Sequence, residues 1–132
     1  RLVTGGRRLD RAGFFFEPTV FAEAPEHSRL MQEEPFGPIA VLQPYDGLDE
    51  AIARANALPY GLGAYGFTSQ LHTAHRLAEG IEAGMVGINH FGVSQPELPF
   101  GGIKESGIGQ EMGAEGIVHY TEIKTVTLGQ PF

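Results

Sequence analysis

A chain of 132 residues, 42% hydrophobic and 19% charged, has room for one domain with a core of its own. Its net charge of −7 argues against nucleic acid and anionic membrane surfaces as partners, since both are gripped by basic patches; no apolar run approaches transmembrane length and no signal peptide opens the chain, so the cytoplasm is the expected compartment. Cysteine is absent, which excludes a disulfide framework, a thiolate metal site and a cysteine nucleophile within these residues.

Arg1 to Arg11 is polar and basic, with Gly5-Gly6 as a turn, and reads as an extended leading segment. Phe14-Phe15-Phe16 followed by Pro18-Thr19-Val20-Phe21 reads as a strand pair, or as one strand with a proline-marked kink, and the Phe triplet reads as core. Ser28 is placed to cap a short helix over Arg29 to Glu33. That helix delivers the chain to Glu33-Glu34-Pro35-Phe36-Gly37-Pro38. Two prolines remove two backbone donors, so this hexapeptide is neither helix interior nor central strand. It should form a stiff turn presenting a carboxylate beside an aromatic ring. A carboxylate accepts from vicinal hydroxyls, as acidic residues do from ribose, and an aromatic offers flat apolar contact. The same residues also read as a loop with solvated glutamates and a Phe tucked into the core, because acidic side chains are mostly exposed.

Ile39-Ala40-Val41-Leu42 is a continuous apolar run, expected to be a strand buried on both faces. Asp46-Gly47 marks a turn, and Leu48, Ala51, Ile52, Ala55 and Leu58 recur at near-helical spacing until Pro59 stops the helix. Gly63 to Phe67 reads as a short strand. Thr68-Ser69 is placed to cap a second helix reaching about Glu82, with Leu71, Ala74, Leu77, Ala78 and Ile81 on its apolar face and Gly84 as its terminal glycine. Met85 to Ile88 is a further strand closing at Asn89. A long loop, His90 to Gly109, follows; Glu111 to His119 reads as a short helix, and Glu122 to Leu128 alternates as a final strand. Strand, helix, strand, helix, strand predicts an α/β fold with a mainly parallel sheet and covering helices. In such sheets the loops beyond the carboxyl ends of the strands face ligand, so the loop after Asn89 should face a site.

Other patterns carry less chemistry. Gly101-Gly102-Ile103-Lys104-Glu105-Ser106-Gly107-Ile108-Gly109 lacks the Gly-Lys-Ser/Thr of a phosphate loop and the third glycine of a dinucleotide fingerprint. It reads as a structural loop in which backbones pack closely. His72 and His75 share a helix face without a third metal ligand. His27, His90 and His119 stand singly, His90 at the start of the site-facing loop. Ser94 has no nucleophile elbow around it. Glu33 and Glu34, being adjacent, point apart and do not make an acid/base pair.

Several motifs, in order along almost the whole chain, resemble the C-terminal part of an NAD(P)-dependent aldehyde dehydrogenase. They are Phe15-Phe16-Glu17-Pro18-Thr19-Val20; Glu33-Glu34-x-Phe36-Gly37-Pro38; Ala55-Asn56 with Tyr60-Gly61-Leu62; Val86-x-x-Asn89; Pro99-Phe100-Gly101-Gly102-x-Lys104-x-Ser106-Gly107; and Tyr120-Thr121-Glu122-Ile123-Lys124. The resemblance implies that Glu34 holds the nicotinamide-side ribose of NAD or NADP and that Phe36 lies against the nicotinamide end. It implies that Ser94 and Phe100 line the aldehyde tunnel, and that residues 1–119 continue a catalytic domain. Residues 120–132 would then form a strand and tail through which subunits associate. In that family a cysteine thiolate attacks the aldehyde, hydride leaves the adduct for the nicotinamide, and water opens the thioester. The nucleophile and the general-base glutamate would lie upstream of Arg1, so no catalytic residue is expected here and the piece alone should be inactive. Ser94 suits a semialdehyde, whose distal carboxylate a hydroxyl can hold, although Gln95-Pro96 departs from the paired serines of succinate semialdehyde enzymes. The alternatives are a standalone, non-catalytic dimerisation or binding module, and a small carboxylate-dependent hydrolase.

Overall fold

A computed structural model describes residues 1–130, and two compact units divide the chain at Gly47. In the first unit, β1 (Leu2–Thr4), β2 (Thr19–Ala22) and β3 (Ile39–Leu42) form one sheet in that order. β1 runs antiparallel to β2, and β2 parallel to β3 with Thr19 opposite Ile39 and Ala22 opposite Leu42. A parallel pair needs a crossover, and the short helix α1 (Arg29–Gln32) lies within it. Thr19, only 2% exposed, is satisfied on both sides: its hydroxyl donates to the carbonyl of Glu17 at 2.7 Å and accepts from the Gly6 N–H at 2.8 Å. A buried hydroxyl without such partners would be costly.

The second unit holds α2 (Leu48–Asn56), β4 (Tyr60–Gly61), β5 (Gly63–Gly66), α3 (Leu71–Gly80), β6 (Met85–Ile88), β7 (Ile103–Lys104) and a 3-10 helix (Glu115–Tyr120). β5, α3 and β6 make a parallel β-α-β unit, and β4 pairs antiparallel with β7. Helix α3 lies close on β5 because Gly66 has no side chain: a Cβ there would meet Leu77 Cδ1 at 2.7 Å. Ile52 of α2 packs against Gly80 of α3, and Asp49 pairs with Arg76 between the same helices.

The elements follow the sequence more closely than the sheet does. The α/β alternation is present, but the strands form three small sheets in place of one mainly parallel sheet, and β1 emerges from the basic leading segment. β3 is half-buried on one face and exposed on the other. The Phe triplet is not core: Phe14 is fully exposed and Phe15 and Phe16 are partly so, with Arg11 stacked over Phe15 at 3.6 Å. The cap of α3 is Gln70, and the helix ends at Gly80 with Ile81 as its cap, four residues short of Gly84. The long loop is interrupted by β7 and by a bridge between Phe100 and Glu111. The expected final strand is not formed among residues 122–128. Alternation alone does not make a strand; the ladder needs a neighbour, and these residues have none among the described ones. Among the described residues no helix is long and apolar enough to cross a membrane, and no group of three or more His, Asp or Glu is placed to hold a metal.

Candidate functional site

The turn before β3 is built by the sheet that follows it. The Thr19 N–H donates to the carbonyl of Pro38 at 2.8 Å, so pairing of β2 with β3 begins at the last residue of the hexapeptide. Within the turn, the Gly37 N–H donates to Pro35 O and the Ile39 N–H to Gly37 O. On the other side the Glu33 N–H closes α1 on the carbonyl of Arg29 at 2.8 Å. With both ends held and both prolines fixed in φ, the intervening residues have little freedom.

The two glutamates have different surroundings. Glu33 accepts two bonds from Arg29, at 2.8 Å from Nε and 2.8 Å from a terminal nitrogen. This hydrogen bonding outweighs an opposing effect of desolvation and, with a smaller contribution from the guanidinium charge, holds the Glu33 carboxyl below its ordinary range. Glu34 is exposed, and its carboxylate has no hydrogen bond or ion pair among the described residues. Phe36 is 94% exposed. Both the Glu34 carboxylate and the Phe36 ring are thus exposed on a stiff turn. The alternative, a Phe tucked into the core, is not what the turn does. Both groups suit the ribose and nicotinamide ends of a dinucleotide: acceptor oxygens for hydroxyls, and a flat apolar face for a ring.

Ser94 and Phe100 lie in the second unit. Ser94 is exposed, with no hydrogen bond among the described residues, whereas Phe100 is half-buried. Phe100 is clamped by two bonds with Glu111, N–H to O in each direction at 2.7 Å. It borders a concavity of about 320 Å³, with Ile108, Gln110, His119 and Tyr120 on its other sides. Ser94 does not line it. The segment carrying Ser94 is anchored instead through Phe91, whose ring meets Tyr65 edge-on at 5.2 Å and Phe67 at 5.1 Å. Gly87 lets that segment fold over β6, since a Cβ there would sit 2.7 Å from the carbonyl of His90.

The remaining motif residues brace the backbone. Asn89, at φ +61°, accepts from the Thr68 N–H at 2.8 Å and donates to the Thr68 carbonyl at 2.9 Å. Asn56 donates to the carbonyl of Gly80 and accepts from the Glu82 N–H. Lys104 Nζ donates to the carbonyls of Asn56 and Leu58 and pairs with Glu82 at 2.7 Å. Ser106 Oγ accepts from the Gly61 N–H at 2.8 Å. The glycine-rich loop is a structural one: a Cβ at Gly101 would meet the carbonyl of Gly109 at 2.6 Å, and one at Gly102 would meet Ser106. The glycine-rich loop is structural as the sequence suggests, but the sequence assigns no role to the side chains of Asn56, Asn89, Lys104 or Ser106, whose partners lie 21 or more residues away.

The family model described as "Aldehyde dehydrogenase family" matches residues 1–126. Among curated proteins, the chain is 44% identical over 129 residues to the 4-(hydroxymethyl)benzenesulfonate dehydrogenase TsaD1 of Comamonas testosteroni, covering 94% of this chain and 27% of that protein. It is 42% identical over 130 residues to a succinate-semialdehyde dehydrogenase of Paenarthrobacter nicotinovorans, covering 98% and 29%. Among solved structures it is similar to a Mycobacterium tuberculosis aldehyde dehydrogenase complexed with NAD+, with a TM-score of 0.89 and 42% identity over 100% of this chain and 28% of that one. It is also similar to a Staphylococcus aureus betaine aldehyde dehydrogenase in complex with NAD+, with a TM-score of 0.84 and 40% identity over 91% and 25%. The chain thus spans between a quarter and a third of the length of these relatives.

Proposed function

Because this chain belongs to the aldehyde dehydrogenase family, we propose that it is the C-terminal part of an enzyme oxidising an aldehyde to a carboxylic acid with NAD or NADP. Residues 1–119 contribute to the catalytic domain. Residues 120–132 contribute the segment through which copies of the protein associate, its last two residues lying outside the described ones. Exposed apolar side chains such as Ile108, Ile123 and Leu128 support a chain whose surface is completed by further protein.

The observation that carries the reading is the contrast between the adjacent glutamates. Arg29 occupies Glu33, while Glu34 keeps all its acceptor capacity beside an uncovered Phe36. Glu34 accepts from the two hydroxyls of the nicotinamide-side ribose, and Phe36 gives the nicotinamide end a flat apolar backing. The nicotinamide supplies a hydride acceptor when bound. The nucleophilic cysteine and the general base belong to the part of the protein outside this cysteine-free chain. Phe100 forms a wall of the aldehyde site. Ser94, which does not line the concavity beside Phe100, contributes from the preceding loop a hydroxyl that suits a substrate with a distal carboxylate, which favours a semialdehyde; one relative is named for succinate semialdehyde.

In the complete polypeptide, Glu34→Gln is expected to raise the cofactor KM by roughly tenfold, as loss of one charge-assisted hydrogen bond does, while Glu33→Gln leaves it unchanged. Equal cofactor kinetics for Glu34→Gln and wild type would exclude the assignment of Glu34.

A further inference from the structure

Phe100 is held from behind by a short backbone strap, and the strap is held by one imidazole. His119, on the 3-10 helix, accepts the backbone N–H of Gln110 on Nε2 at 3.1 Å. Its ring also lies against Gly109, at φ +76°, where a Cβ would come within 2.6 Å of His119 Cε1. Glu111, the next residue, makes the paired 2.7 Å bonds that fix Phe100. Gly116, buried on the same 3-10 helix, packs against the backbone of Glu111. A single chain of contacts therefore runs from His119 through Gln110 and Glu111 to Phe100, along one side of the 320 Å³ concavity.

We infer that His119 is a positioning residue for the aldehyde site: by accepting the Gln110 N–H it fixes the strap of residues 109–111 and so sets where the Phe100 ring stands. The inference rests on the reading of Phe100 as an aldehyde wall. Its chemical requirement is an acceptor at Nε2. Phenylalanine at this position keeps a flat ring against Gly109 but offers Gln110 nothing. Glutamine restores an acceptor oxygen at comparable reach. A strap that loses its only side-chain anchor among the described residues samples other positions, and a displaced wall weakens aldehyde binding without touching the Glu34–Phe36 turn.

The test is steady-state kinetics of the complete polypeptide as wild type, His119→Phe and His119→Gln, with thermal unfolding of each. His119→Phe is expected to raise the aldehyde KM about fivefold, the equivalent of one ordinary hydrogen bond, with the NAD(P) KM at its wild-type value and the unfolding midpoint lowered by no more than the loss of that one bond. His119→Gln is expected to return the aldehyde KM to within about twofold of wild type. An unchanged aldehyde KM in His119→Phe, with wild-type turnover intact, overturns the inference alone. So does a rise of the aldehyde and NAD(P) KM values together, with equal loss of stability in the two variants, which would mark His119 as merely structural. Absence of aldehyde-dependent NAD(P)H formation by the wild type overturns the reading of the reaction and the inference with it.

Discussion

Lys104 Nζ donates to the carbonyl of Asn56 at 3.0 Å, closing the end of a helix 48 residues earlier in the chain. The carbonyls at a helix C-terminus lack intrahelical partners, and a cation there also meets the favourable end of the helix dipole. Lys104 adopts φ +55°, a conformation costing about 1 kcal/mol for a residue with a Cβ. The bonds to Asn56 and Leu58 and the ion pair with Glu82 offset that strain. Since Asn56 itself ties the end of α3, the two residues together join both helix ends to β7.

Lys104→Met is therefore expected to destabilise the complete protein by about 2 kcal/mol, the usual worth of hydrogen bonds to a charged group. Denaturant unfolding of variant and wild type checks this. A loss under about 0.5 kcal/mol, typical of an ordinary surface substitution, would show that the clamp is incidental.

Asn89 uses both ends of its amide on one peptide neighbour, Thr68. Asn89→Asp keeps an acceptor for the Thr68 N–H but turns a second oxygen toward the Thr68 carbonyl. The expected cost is about 2 kcal/mol, from a lost donor and an unpaired carbonyl. Because Asn89 begins the loop that carries Ser94, its replacement should also speed protease cleavage within residues 90–98. Unchanged cleavage would mean that the loop is held from elsewhere, with Phe91 the first candidate.

Gly84 tests the backbone packing of the glycine-rich loop. A Cβ at this position would overlap the carbonyl of Gly101. Gly84→Ala is expected to cost about 3 kcal/mol, since the obstacle is backbone and overpacking of this kind is relieved only by moving it. A melting temperature within measurement error of wild type would contradict the close approach of these two segments.

The Arg29–Glu33 pair predicts a pH dependence of definite sign. Hydrogen bonding from Arg29 is the main cause of the lowered Glu33 pKa. A carboxyl lowered in the folded state contributes stability above its unfolded value, near 4.5, and loses it as pH falls through the folded value. Both side chains are largely solvent-facing, so salt should weaken the effect. Carbon NMR of glutamate-labelled protein should show Glu33 titrating below the ordinary range, and back within it in Arg29→Gln. Identical titration in both proteins would show that the pair does not persist in solution.

The local elements were legible because their causes are local. Pro59 ends α2 after Asn56, the apolar runs Ile39–Leu42 and Met85–Ile88 are strands, and Pro35 and Pro38 make the turn that presents Glu34 and Phe36. Ser28 precedes α1 as read, though its hydroxyl makes no cap bond. What the sequence could not show is what each strand pairs with. β7 exists only because residues 103–104 meet residues 60–61, and the alternation of 122–128 finds no such partner among the described residues. Phe14 to Phe16 look like core by composition, yet hydrophobicity states a need for burial without naming the surface that meets it. His119 carried no motif at all. Its significance lies in the backbone N–H nine residues away that it accepts.

The most direct measurement is aldehyde-dependent NAD(P)H formation by the complete polypeptide, side by side with residues 1–132 alone. Turnover by the complete protein and none by the cysteine-free chain is the expected result. No turnover by the complete protein with any aldehyde, or turnover by residues 1–132 on their own, would contradict it.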